Sequence, residues 1–208
     1  MFPPPSKLEK QSCTNATCPL SSSGVPEAFE LTEWELVAEH WEAPSNISDA
    51  AQPTKKFNTT HILPSLSPWA KIPALVNTSG IGYYTSTFIW PSNATNTSAS
   101  VLGAYISFDN VLHSLRVQVN GAELPPLDIT HATADISSYL RPGNNTVTAV
   151  VPTTWWNYLR TIIGALESSG ARPLPLVLNG LFGLPLPTAD DYGLMPGVRV
   201  TPFRRVVC

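Results

Sequence analysis

The chain has 208 residues, enough to bury a sizeable core in one β-rich domain, with 13% charged residues and a formal net charge of −3. No basic face is available to neutralise phosphates, which argues against nucleic acid as a partner, and the longest apolar runs ("IPALV", "LPLVL") fall far short of the roughly 20 residues of a membrane helix. Four histidines and three cysteines show no metal-ligand spacing, and no phosphate loop, dinucleotide fingerprint or G-x-S-x-G elbow occurs, so no metal or other cofactor is expected.

Residues 1–28, rich in Pro, Ser and small polar residues, read as a poorly ordered lead-in or linker, with Cys13 and Cys18 close enough to bridge in an oxidising compartment. This start has neither a basic stretch followed by an apolar run nor a small-residue cleavage site, so it is not a signal peptide. Cys208 is left without an obvious partner, and the chain is expected to be a piece of something larger. From residue 29 onward the pattern is that of one β-rich domain, 29–208.

Its first element is "LTEWELVAEHW", where Trp34, Leu36 and Ala38 alternate with Glu33, Glu35 and Glu39 at the period of a half-buried strand. The carboxylates are expected to line a solvated strand face rather than to form an acid/base pair. "KKFNTTHIL" reads as a short strand. In "GIGYYTSTFIWP", Tyr84, Ser86, Phe88 and Trp90 share one face of a strong strand that Pro91 ends, with Gly80 and Gly82 expected to let the chain turn tightly before it. Further strands follow at "GAYISFDNV" and "LHSLRVQVNG", the latter with Leu115, Val117 and Val119 on one face.

Asn120-Gly121 predicts a tight hairpin, because both residues tolerate positive φ. The two prolines of "ELPPLDIT" predict an edge or a loop crossing the end of a sheet. A helical turn capped by Asp135 is expected up to Leu140, then a strand over 146–151. "TTWWNYLRTIIGALESSG" has Leu159, Ile163 and Leu166 at the spacing of one helix. A Pro-rich loop and a closing strand, "GLMPGVRVTPF", complete an all-β sandwich with one short helix.

Asn-x-Ser/Thr triplets stand at Asn15, Asn46, Asn58, Asn77, Asn93, Asn96 and Asn144, where chance would give about two. That excess predicts N-glycosylation and a secreted, extracellular protein.

The succession "GIGYYTSTF", "LRVQVNG", "DISSYL" and "GNNTV" resembles the galactose-binding-like jelly-roll sugar-binding domain of glycoside hydrolase family 2. With "LTEWELVAEHWEAP", "WAKIPALVNTSGIGYYTSTFIW", "TTWWNYLR" and "YGLMPGVRVTPF" added, residues 29–203 resemble the C-terminal β-sandwich of fungal α-L-rhamnosidase-like glycoside hydrolases, family 106. The resemblance implies a non-catalytic carbohydrate-binding or accessory domain, partnered by the catalytic domain of a parent enzyme that acts on rhamnosyl linkages in plant glycans. A catalytic barrel needs about 250 residues, so no catalytic residue is carried over. A free-standing carbohydrate-binding module and a structural remnant of a truncated hydrolase gene are the alternatives.

Sugar binding in a sandwich calls for an aromatic platform beside hydrogen-bonding groups. Trp155, Trp156, Asn157, Tyr158 and Arg160 supply those types in one segment, against which stands helix-to-sheet packing or an interface with another domain. Asp128, His131 and Asp135 bracket the loop after the hairpin, suited either to a ligand or calcium ion or to turn and cap duty. Asp190, Asp191 and Tyr192 form a third group, with a solvated acidic loop as the alternative. Trp34, Trp41, Trp69 and Trp90 are expected in the core or at its rim.

Overall fold

The computed structural model describes residues 25–49, 51–91, 100–169 and 188–206. Cys13, Cys18, Cys208, the sequons at Asn15, Asn93 and Asn96, and most of the Pro-rich stretch lie outside the described residues.

Alternation of apolar and polar residues produces the strands, and the side each strand buries fixes how they stack. β1 (Phe29–Glu30), β2 (Trp34–Glu42), β3 (Lys55–Leu63), β4 (Gly80–Trp90), β5 (Ser100–Phe108), β6 (Arg116–Val119), β7 (Ala122–Glu123), β8 (Ala132–Asp135), β9 (Gly143–Pro152) and β10 (Val198–Val206) form two antiparallel sheets. One has four strands in the order β1-β10-β5-β8; the other has six in the order β3-β2-β4-β9-β6-β7. The protein is an all-β sandwich.

Its core lies between the sheets. Trp34, Leu36 and Ala38 of β2, Tyr84, Ser86, Phe88 and Trp90 of β4, and Val147, Ala149 and Val151 of β9 face inward from the larger sheet. Ala104, Ile106 and Phe108 of β5 and Val198 and Val200 of β10 face them from the smaller one. Trp69 joins this core from a 3-10 turn over Trp69–Lys71, while Trp41 is half-buried on the outer side of β2.

Asn120 and Gly121 take φ of 53° and 82°, the positive values of a tight hairpin turn between β6 and β7. β7 is two residues long: after Leu124, whose N–H still reaches the Val117 carbonyl at 2.9 Å, Pro125 and Pro126 cannot donate to a ladder.

Two expectations are corrected. The segment after β9 forms two short helices, α1 (Trp156–Leu159) and α2 (Ile163–Ser168), rather than one. Thr161 Oγ1 donates to the Tyr158 carbonyl at 2.7 Å between them, a local bond of the kind with which Thr competes against a helical ladder. Gly80 and Gly82 serve close approach, not a turn. A Cβ at Gly80 would stand 1.8 Å from the Glu39 carbonyl oxygen, and one at Gly82 would stand 2.7 Å from the Tyr84 ring.

Candidate functional site

The segment Trp155–Arg160 follows the end of β9, where the starts of β4 and the 188–195 stretch converge. Asn157 has no exposed surface, and its amide clips a distant backbone: Nδ2 donates to the Asp190 carbonyl at 2.8 Å and Oδ1 accepts the Asp190 N–H at 2.8 Å. Trp156 packs on the core and donates Nε1–H to the Thr188 carbonyl at 3.1 Å. Tyr158 accepts the Ala43 N–H on its hydroxyl at 3.0 Å, and its own N–H reaches Ser79 Oγ at 3.1 Å. Arg160 Nη2 donates to Asn77 Oδ1 at 2.9 Å. Trp155, 38% exposed, presents the most open ring of the segment, set edge-on to Tyr158.

Four of these five side chains are therefore committed to joining α1 to three other stretches of chain. Behind them lies a buried polar string. The Tyr192 hydroxyl meets Thr154 Oγ1 at 2.5 Å and accepts the Asn157 N–H at 3.1 Å, and the Trp69 indole N–H reaches the Tyr84 hydroxyl at 2.7 Å. Burial pushes the Tyr84 phenol up to about 12, against the pull of the Leu194 and Trp69 N–H groups. Burial also raises Tyr192, opposed by its bond from Thr154. Both hydroxyls stay protonated at neutral pH and act as fixed hydrogen-bonding posts, not as bases.

The second predicted group stands elsewhere. Asp128 Oδ1 accepts from the Thr130 N–H and hydroxyl at 2.9 and 2.7 Å, and these two bonds hold its carboxyl below the usual range. Asp135 Oδ1 accepts from the Ser137 N–H at 2.9 Å and hydroxyl at 2.5 Å, which fixes the 3-10 turn over Ser137–Tyr139. His131 is exposed; its N–H donates to the Asp128 carbonyl at 3.0 Å and its carbonyl accepts the Thr133 N–H at 2.8 Å. Turn and cap duty thus accounts for what Asp128 does, and for one oxygen of Asp135.

Asp135 also lines a cleft of about 460 Å³ that the sequence reading did not find. Pro125, Pro126 and Leu127 line it, without backbone donors at the prolines, together with Thr133, Ser137, Ser138 and Tyr139. The one sequence signal for it was the pair of prolines after the hairpin. The cleft and the Trp155 segment are not brought together: Tyr139 is tied by Asn120 to the start of β9, whereas Trp155 follows its end. Ten strand residues separate them, roughly 30 Å.

Among residues 25–49, 51–91, 102–166 and 188–204 no Asp or Glu is buried, and no group of three or more His, Cys, Asp or Glu suited to a metal ion occurs among the described residues. Lys55 and Lys56 sit 3.6 and 3.7 Å from Glu42 and Glu39, and Arg116 lies 2.8 Å from Glu123. These exposed pairs are worth little to stability.

Neither a family model nor a curated protein matches the chain. Solved structures do. The rhamnosidase from Novosphingobium sp. PP1Y is similar over 88% of this chain at 21% identity and a TM-score of 0.53, and the chain covers 16% of it. A putative beta-galactosidase from Bacteroides fragilis is similar over 85% of this chain and 23% of its own, at 14% identity and a TM-score of 0.46. The neighbours are glycoside hydrolases, and the chain spans under a quarter of the length of these two. At such identities the likeness to the rhamnosidase is one of fold.

Proposed function

We propose that residues 29–208 are a galactose-binding-like accessory domain of a secreted, N-glycosylated glycoside hydrolase whose catalytic machinery lies in a separate domain. The parent is a fungal α-L-rhamnosidase of family 106 acting on plant glycans. The observation that carries this reading is the sharing of fold between 88% of this chain and 16% of a rhamnosidase. Exposure is consistent with it: a general acid needs a desolvated carboxyl, and the carboxylates of residues 25–49, 51–91, 102–166 and 188–204 are exposed or half-buried. All four described sequon asparagines, Asn46, Asn58, Asn77 and Asn144, are exposed, as glycan attachment requires.

Glycan contact is assigned to the cleft beside Asp135. A pyranose has an apolar face and a rim of hydroxyls, which Pro125–Leu127 and the hydroxyls of Thr133 and Ser138 in the same lining complement. The Trp155–Arg160 segment, by contrast, has Trp155 as its one exposed residue.

A calorimetric screen with rhamnose-containing pectic fragments tests this on the purified chain. Millimolar binding lost in Ser138→Trp and kept in Trp155→Ala is expected; the reverse pattern moves the contact to Trp155. Turnover of an aryl α-L-rhamnoside by this chain alone, abolished by Glu35→Gln, overturns the accessory reading. Nanomolar binding without a partner domain favours the free-standing module.

A further inference from the structure

The four described sequons are not equivalent as acceptors. In Asn46-Ile47-Ser48 the third residue is exposed and the triplet is held by local bonds alone, the Ser48 N–H to Asn46 Oδ1 at 3.1 Å and the Asp49 N–H to the Asn46 carbonyl at 3.2 Å. Asn58-Thr59-Thr60 lies on the edge strand β3, with Thr60 exposed.

Asn77-Thr78-Ser79 differs. Asn77 is exposed, but Ser79 has no exposed surface and Thr78 has 7%. Ser79 Oγ accepts the Tyr158 N–H at 3.1 Å, and the Ser79 carbonyl accepts the Trp41 N–H at 2.9 Å. The Thr78 hydroxyl faces His40 Nδ1 at 3.4 Å, and Gly80 beyond it pairs with His40 in the β2–β4 ladder. A transferase that reads Asn-x-Ser must reach the third-residue hydroxyl. Here that hydroxyl is reached only by detaching α1 and the start of β4 from β2, an opening on the scale of unfolding the domain.

We infer that Asn77 is glycosylated before the domain folds or not at all, while Asn46 remains an acceptor in the folded protein. The inference rests on the secretory part of the proposed function. In the transfer the amide Nδ2 displaces a lipid-linked pyrophosphate at the anomeric carbon of the donor sugar: the N–C1 bond forms, the C1–O bond breaks, and the amide loses one proton as the pyrophosphate leaves. Oδ1 is untouched, so the Arg160 bond at 2.9 Å survives the modification and the sugar leaves the surface beside α1.

The test uses the folded, unglycosylated chain with purified oligosaccharyltransferase and lipid-linked oligosaccharide, and reads glycopeptides by mass spectrometry. Modification of Asn77 is expected to be at least about 1,000-fold slower than that of Asn46, reflecting the rarity of an opening that costs as much as unfolding the domain. A synthetic peptide of residues 72–84 is expected to be modified at a rate comparable to Asn46. Asn157→Ala, which loosens α1, is expected to raise Asn77 modification and leave Asn46 unchanged. Equal rates at Asn77 and Asn46 in the folded chain, or an unreactive peptide, overturn the inference. Finding no glycan on protein secreted by a eukaryotic host overturns the N-glycosylation part of the proposed function instead, and leaves the comparison in the tube intact.

Discussion

Asn157 and Asp190, 33 residues apart in sequence, hold each other by two hydrogen bonds of 2.8 Å from a buried side-chain amide to one backbone unit. Removing the amide leaves the Asp190 N–H and carbonyl without those partners. Asn157→Ala is expected to destabilise the domain by about 2–4 kcal/mol, read as a lower urea midpoint with an unchanged denaturant slope.

The adjacent tryptophans predict opposite outcomes. Trp155→Ala, at an exposed ring, is expected to change stability by less than about 0.5 kcal/mol. Trp156→Ala removes a ring packed on the core and its bond to Thr188, and is expected to cost about 2–4 kcal/mol. Paired thermal melts separate the two.

Gly193 takes a φ of +92°, and a Cβ there would stand 2.3 Å from the Tyr84 hydroxyl and 2.7 Å from the Trp69 ring. Gly193→Ala combines backbone strain with overpacking against two fully buried aromatics. A loss of about 3 kcal/mol or more is expected, with an altered near-ultraviolet circular dichroism spectrum, because the affected rings are those of the core.

His40 titrates below its ordinary 6.5, chiefly through burial, with Glu42 opposing and His61 adding to the shift. Its Nε2 contacts Thr59 Oγ1 at 2.7 Å, and its ring stacks on Phe57 at 4.4 Å. Between the folded value and 6.5 the unfolded chain binds more protons than the folded one, so this contribution to stability falls as pH drops through 6.5 and levels off below the folded value. Denaturant midpoints at pH 7.5 and 5.5 are expected to differ less in His40→Gln than in the parent chain.

Strand faces were legible in the sequence wherever alternation met a one-sided core. Trp34, Leu36 and Ala38, then Tyr84 to Trp90, then Leu115 to Val119 are buried as their period predicts, and Asn120-Gly121 announces its turn by chemistry alone. The helix was misjudged because Leu159, Ile163 and Leu166 keep helical spacing across a break that Thr161 makes locally. The candidate site was less legible for a different reason. Residue types suited to sugar are also suited to clipping loops, and nothing near Asn157 in sequence signals Asp190. The cleft at Asp135 lies within the stretch 125–139, but it depends on Pro125–Leu127 folding back beside β8, which packing decides and residue pattern does not.

The two margins of the six-stranded sheet are β3 and β7, and an open margin is a template for pairing with another chain. β7 ends after two residues at a pair of prolines, so it offers almost no ladder. β3 is nine residues long but begins with Lys55 and Lys56, the second lying 4.1 Å above the Trp41 ring, and carries the exposed Asn58 sequon within it. Charge guards one end of that strand and the prolines cut β7 short, so neither margin offers another chain a long uncharged ladder.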